Sequence, residues 1–163
     1  MEMPESKVEH ITKRISDRMK AATAGTRYWS CIPGNYLDYE GNKLDNSPEF
    51  TGSMQDWSQL LLMAINDLSA IIHRKTQAGG ANSIVCGPEV LAILETNNQY
   101  QPTSNTFSGD NHFIHYGTIN KRWKVYCHLY MMRDKILVSR EVDPFPPLVY
   151  SPDNFAIIKV LDL

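Results

Sequence analysis

The chain has 163 residues, with 16 Lys and Arg against 18 Asp and Glu for a net charge of −2, 42% hydrophobic and 21% charged. That balance belongs to a folded domain with a sizeable core and excludes a wholly disordered polypeptide. It also argues against a nucleic-acid grip, which needs uncompensated clusters of Lys and Arg, and no apolar run approaches the roughly 20 residues of a membrane-spanning helix.

The spacing predicts a first helix over Glu5 to Ala24. Val8, Ile11, Ile15, Met19 and Ala22 recur at steps of three and four, while Lys7, Lys13, Arg14, Asp17 and Lys20 lie mostly off that stripe. Met1 to Glu9 is polar and acidic and lacks the apolar centre of a signal peptide. Residues 25–52 are rich in turn formers (Pro33-Gly34, Gly41-Asn42, Asp45-Asn46, Ser47-Pro48) and read as an irregular connection with one or two short strands, one near Tyr28 to Ile32. A connection of that length is uncommon in a compact domain and usually has a functional or contact role.

The second helix is predicted over Ser53 to Ala78. Ser53 and Asp56 have the spacing of a capping box, and Trp57, Leu60, Leu61, Ala64, Ile65, Leu68, Ile71 and Ile72 follow a 3.6-residue period. His73, Arg74 and Lys75 come last, as the helix dipole favours, and Gly79-Gly80 is the expected stop. A buried strand, Ser83 to Cys86, then leads into a third helix, Pro88 to Thr96, with proline in the favoured first position.

From Asn97 to Asn111 the sequence turns polar and reads as a mobile surface loop. Strands are expected at His112 to Tyr116, Trp123 to His128, Lys135 to Arg140, Leu148 to Tyr150 and Phe155 to Leu161. Residues 119–122 and 132–134 would be the turns of a meander. Four prolines between Pro144 and Pro152 keep the last strands short or at an edge. The order of elements gives an α+β class, with helices packed on a mostly antiparallel sheet. The expected organisation is one domain: an N-terminal helix (1–24), an irregular connection (25–52) and an α+β core (53–163).

Residues able to carry chemistry have plainer explanations. Cys86 ends a strand before a helix start, where amides could activate a thiol, but no histidine motif lies near in sequence and a buried packing cysteine is the better reading. Cys31, Cys86 and Cys127 are odd in number and unpatterned, as free thiols are. His112 and His115 are three apart, so on a strand they face opposite ways and cannot share a metal; Cys127 and His128 diverge similarly. His73 suits a helix C-terminus. Asp38, Glu40 and Asp45 lack calcium-loop spacing. Tyr28, Trp29, Tyr36, Tyr39 and Phe50 sit among acidic residues, which favours packing or protein contact over base stacking. No phosphate-loop, nucleophile-elbow or zinc-protease pattern occurs, so neither cofactor, metal nor catalysis is expected.

The stretch from Phe50 to Leu94 resembles the major capsid proteins of T-even-like tailed phages, which have the Hong Kong ninety-seven-type fold. The resemblance lies in the helix from Trp57 to Thr76, the run Gly79-Gly80-Ala81-Asn82-Ser83-Ile84-Val85-Cys86, and the short helix Pro88-Glu89-Val90-Leu91-Ala92-Ile93-Leu94. It continues in residues 117–126, in Lys135-Ile136-Leu137-Val138 and in Leu148-Val149-Tyr150-Ser151-Pro152. It implies the later part of a shell subunit, holding the axial domain and part of the peripheral domain, without the arm, extended loop and spine helix that come earlier in full subunits. Such a chain would be made in the host cytoplasm and self-associate into capsomers of an icosahedral head, alongside other capsid proteins. The alternative is a virion accessory or binding module on the same fold. The loop from Asn97 to Asn111 would then face a capsomer axis, dispensable for folding, with Gln101, Ser104, Asn105, Phe107 and Asp110 offered to a neighbouring subunit.

Overall fold

A computed structural model of the protein describes residues 25–38, 40–43, 54–107, 114–128, 131–140 and 152–163. The helix expected over 5–24, the strand over 148–150, the cap at Ser53 and Asp56, and Asp45, Tyr39 and Phe50 lie outside what is described.

Among the described residues, seven strands form one sheet in the order β1-β7-β6-β2-β5-β4-β3. They are β1 (Gly25–Ser30), β2 (Ser83–Cys86), β3 (Tyr100–Phe107), β4 (Ile114–Ile119), β5 (Trp123–Cys127), β6 (Lys135–Ser139) and β7 (Phe155–Leu161). Two helices, α1 (Met54–Thr76) and α2 (Pro88–Leu94), and a short turn of 3-10 helix (Pro152–Asn154) complete the described elements. Four of the neighbouring pairs are antiparallel; β1 with β7 and β2 with β5 are parallel. The architecture is α+β with a mostly antiparallel sheet.

The apolar stripe of α1 is buried against the sheet. Trp57, Leu61, Ile65, Leu68 and Ile72 share a core with Ile84, Val125, Ile136, Val138 and Ile158, while Val90, Leu91 and Leu94 join from α2. The Trp57 indole N–H donates to the Ser30 carbonyl at 2.8 Å, tying the start of α1 to the end of β1. The helix stops at Thr76, and Gln77 takes the left-handed backbone (φ 55°) that ends it. The stop is therefore two residues before the expected Gly79. The Thr76 hydroxyl donates to the Ile72 carbonyl and accepts the Ala78 N–H, so it satisfies groups that the last turn leaves open.

The irregular connection holds more order than expected. Its first six residues are β1, which runs parallel to β7 from Gly25 opposite Ala156 to Ser30 opposite Leu161. The expected meander is also corrected. Asn120 and Lys121 both adopt left-handed backbone and join β4 to β5 as a tight hairpin. Residues 132–134, however, do not join neighbours, because β2 lies between β5 and β6. The physical reason is burial: all four residues of β2 are buried, so this short apolar strand needs a partner on each side. A buried hydroxyl pair, Ser83 Oγ to Ser139 Oγ at 2.7 Å, lies where β2 meets β6.

Candidate assembly surfaces

Among the described residues the sheet has two outer strands. The first is β3. The polar stretch expected to be a loop is a strand from Tyr100 to Phe107, antiparallel to β4, with a register shift between Pro102 and Thr106. Two features explain the correction. Tyr100, Thr103, Thr106 and Phe107 are strand formers, and pairing with β4 satisfies backbone groups that a loop would leave to water. Polar residues and Pro102 are compatible with an outermost strand. Gln101, Pro102 and Thr103 are exposed. Ser104, Asn105 and Phe107 lie further along the same strand, and Asp110 lies outside the described residues. The structure thus places four of the five candidate residues on one edge of the sheet. β4 is described over Ile114–Ile119 and so runs three residues past the expected end at Tyr116, while residues 112 and 113 lie outside what is described.

Close packing fixes that edge. A Cβ added at Gly117 in β4 would come within 2.6 Å of both the Gln101 carbonyl oxygen and the Tyr100 hydroxyl. Tyr100 packs on the core, and burial, with Glu95 nearby, pushes its hydroxyl up to about 12.

The opposite edge was missed by sequence reasoning. Between β1 and α1 lies a groove of about 230 Å³ lined by Tyr28, Trp29, Trp57, Leu60, Met63 and Ala64, among others. The Trp29 and Trp57 rings are 4.9 Å apart on its floor, and Arg27 pairs with Asp67 at its lip. The adjacent aromatics Tyr28-Trp29 and the position of Trp57 at the head of the α1 stripe were the available signals. Nothing local, however, tells that β1 and α1 meet.

The three cysteines are free and differ in burial. Cys86 is fully buried, and burial, reinforced by Cys127 and Glu95, raises its thiol well above the ordinary range. Cys127, its register partner across β2 and β5, is pushed up to about 11, again chiefly by burial and then by Glu89 and Glu95. Cys31 is half-exposed and raised more modestly, by partial burial and Asp162. Iodoacetamide at neutral pH should therefore label Cys31 first and leave Cys86 unmodified until the chain unfolds. A value of about 11 against an ordinary 9.0 leaves Cys127 roughly a hundredfold less thiolate than a free cysteine. Rapid labelling of Cys86 in the folded chain, read by peptide mass spectrometry, would contradict its burial.

The loop carboxylate Asp38 accepts the N–H groups of Glu40 and Asn42, each at 2.9 Å, which holds it below the usual range and closes a turn. His73 is exposed at the end of α1 and His128 is buried; His112 and the side chain of His115 lie outside what is described. Among the described residues, no group of three or more His, Cys, Asp or Glu is arranged to hold a metal ion, and no helix is long and apolar enough to cross a membrane.

No curated protein matches the chain. The family model described as "Major capsid protein Gp23" matches residues 37–142, which runs from the turn after β1 to just beyond β6. That span is well over half of the chain and includes α1, α2 and five of the seven strands. It also contains all five residues of the expected contact segment, and the family is structural rather than catalytic. With a match of this extent, the chain belongs to the Gp23 major capsid protein family of bacteriophage shell proteins.

Proposed function

We propose that the protein acts as the later part of a shell subunit with the Hong Kong ninety-seven-type fold and self-associates into capsomers of an icosahedral head. In this reading it forms one domain over residues 1–163, does no catalysis, and takes its place in the virion after synthesis in the bacterial host cytoplasm. The observation that carries the proposal is the family match together with the edge of β3, where exposed Gln101, Pro102 and Thr103 border the outer side of the sheet. An outermost strand offers backbone groups to a neighbouring chain, and shell contacts repeated about five-fold and six-fold axes need such a directional, self-complementary feature. Gln101, Ser104, Asn105, Phe107 and Asp110 form the inter-subunit contact in this reading. Because this segment is a paired strand rather than a loop, deleting it would expose β4; point changes are the cleaner test.

Gln101→Lys with Thr103→Lys places two charges on the exposed edge. The double variant should fold within about 0.5 kcal/mol of the parent, as exposed substitutions usually do. Mass photometry with negative-stain microscopy should show rings of five or six copies, or shells, for the parent and only monomers for the variant. Identical assembly by both would refute the β3 contact. A parent that stays monomeric at every concentration would favour the alternative of a virion accessory that assembles only with another polypeptide.

A further inference from the structure

β2 and β5 end side by side on a matched pair of cysteines. The strands are parallel, and their register sets Ile84 opposite Val125 and Cys86 opposite Cys127. All four residues share one core cluster with Val90, Leu91 and Leu94 of α2, while Val85 and Tyr126 between them are buried outside it. Side chains alternate along a strand, so the two thiols lie on the same face of the sheet. Neighbouring strands stand about 4.8 Å apart, which puts in-register Cα atoms inside the roughly 4.4–6.8 Å window of a disulfide. The Cys86 thiol already leans across, donating to the Tyr126 carbonyl at 3.7 Å, one residue before Cys127. The ladder also continues past the pair, since the His128 N–H donates to the Cys86 carbonyl at 3.0 Å.

We propose that Cys86 and Cys127 form a redox-gated lock, free in a reducing environment and joined across the middle of the sheet when a low-molecular-weight disulfide reaches the protein. Burial sets the order of events. Cys127 is 8% exposed and Cys86 is 0% exposed, so the external disulfide is met by Cys127. Its thiolate attacks one sulfur, a small thiolate leaves and takes up a proton, and a mixed disulfide remains on Cys127. Cys86 then gives its proton to solvent and attacks the Cys127 sulfur, and the second small thiol departs. Two protein thiols and one small disulfide become one protein disulfide and two small thiols, so electrons and protons balance. Burial raises both thiols, which slows the exchange at neutral pH and quickens it under alkaline conditions.

Cys31 cannot join this pair. The strand order sets three spacings, about 14 Å, between β1 and β2, and one more to β5, well beyond disulfide reach. The bond between Cys86 and Cys127 would tie the fully buried β2 to the β4–β5 hairpin and close the loop of residues 87–126, restricting the unfolded chain. None of this depends on the assembly reading, because a chain that stays monomeric would form the same bond.

The test incubates the folded full chain with oxidised glutathione at about pH 8.5, near the ordinary thiol value. The chain is then unfolded in iodoacetamide and its peptides are read by mass spectrometry. The expected product joins the Cys86 peptide to the Cys127 peptide with neither thiol alkylated, and the melting temperature rises by roughly 5–15 °C until a reductant restores it. Cys31→Ser should keep both results and Cys127→Ser should lose both, with circular dichroism unchanged in each. Alkylation of Cys86 and Cys127, a lasting glutathione adduct on Cys127, or a bond from Cys31 to either would overturn the pairing. A bond that left the melting temperature unchanged would overturn the lock.

Discussion

Leu68→Ala should cost about 2–5 kcal/mol of stability, the range for truncating a fully buried leucine, because lost apolar transfer is compounded by a cavity the surroundings fill only in part. Leu68 is 0% exposed in the middle of α1 and touches the start of β1, where Gly25 has no side chain with which to fill the gap. In a domain of this size the loss corresponds to roughly 4–20 °C in melting temperature. The control is Met63→Ala on the same helix. Its side chain is 52% exposed, so its expected change is within about 0.5 kcal/mol. Equal melting curves for the parent and the Leu68 variant would remove α1 from the core.

The second large effect is expected from Gly117→Val. The added side chain would begin 2.6 Å from the Gln101 carbonyl oxygen and from the Tyr100 ring. Tyr100 can rotate part of the way, but the carbonyl belongs to the paired backbone of β3, so the strand itself has to move. Forcing volume into a packed site of this kind costs about 1–3 kcal/mol. The expected result is a moderate loss of thermal stability together with a severe loss of assembly, because the strain falls on the strand proposed to meet the neighbouring subunit. Unimpaired shells from the Gly117 variant would show that the position of β3 is unimportant to assembly.

Elements whose signal is local were legible in the sequence. The α1 stripe predicts Leu61, Ile65, Leu68 and Ile72 as core, and all are buried. The four residues of β2 and β7 from Phe155 to Leu161 occupy the predicted positions, because turn formers or proline bound each run; α2 starts at the predicted Pro88 but ends at Leu94, two residues before the expected Thr96. The inertness expected of Cys86 is likewise matched by its full burial. The polar stretch after Asn97 was misread because composition reports exposure and not pairing: an outermost strand and a loop both face water, and only the antiparallel partner β4 distinguishes them.

The sequence alone determined the class of the protein, the main helix and the absence of any catalytic pattern, since periodicity, punctuation and motif spacing are properties of neighbouring residues. It also carried the capsid resemblance, which rests on the order of those same local pieces. Only the tertiary structure decided that β2 enters between β5 and β6, that β1 pairs with β7, and that a groove opens between β1 and α1. These arrangements join residues as far apart as Gly25 and Ala156. What selects them is the joint burial of both sheet partners and a helix face, a free energy that no single stretch of the chain possesses.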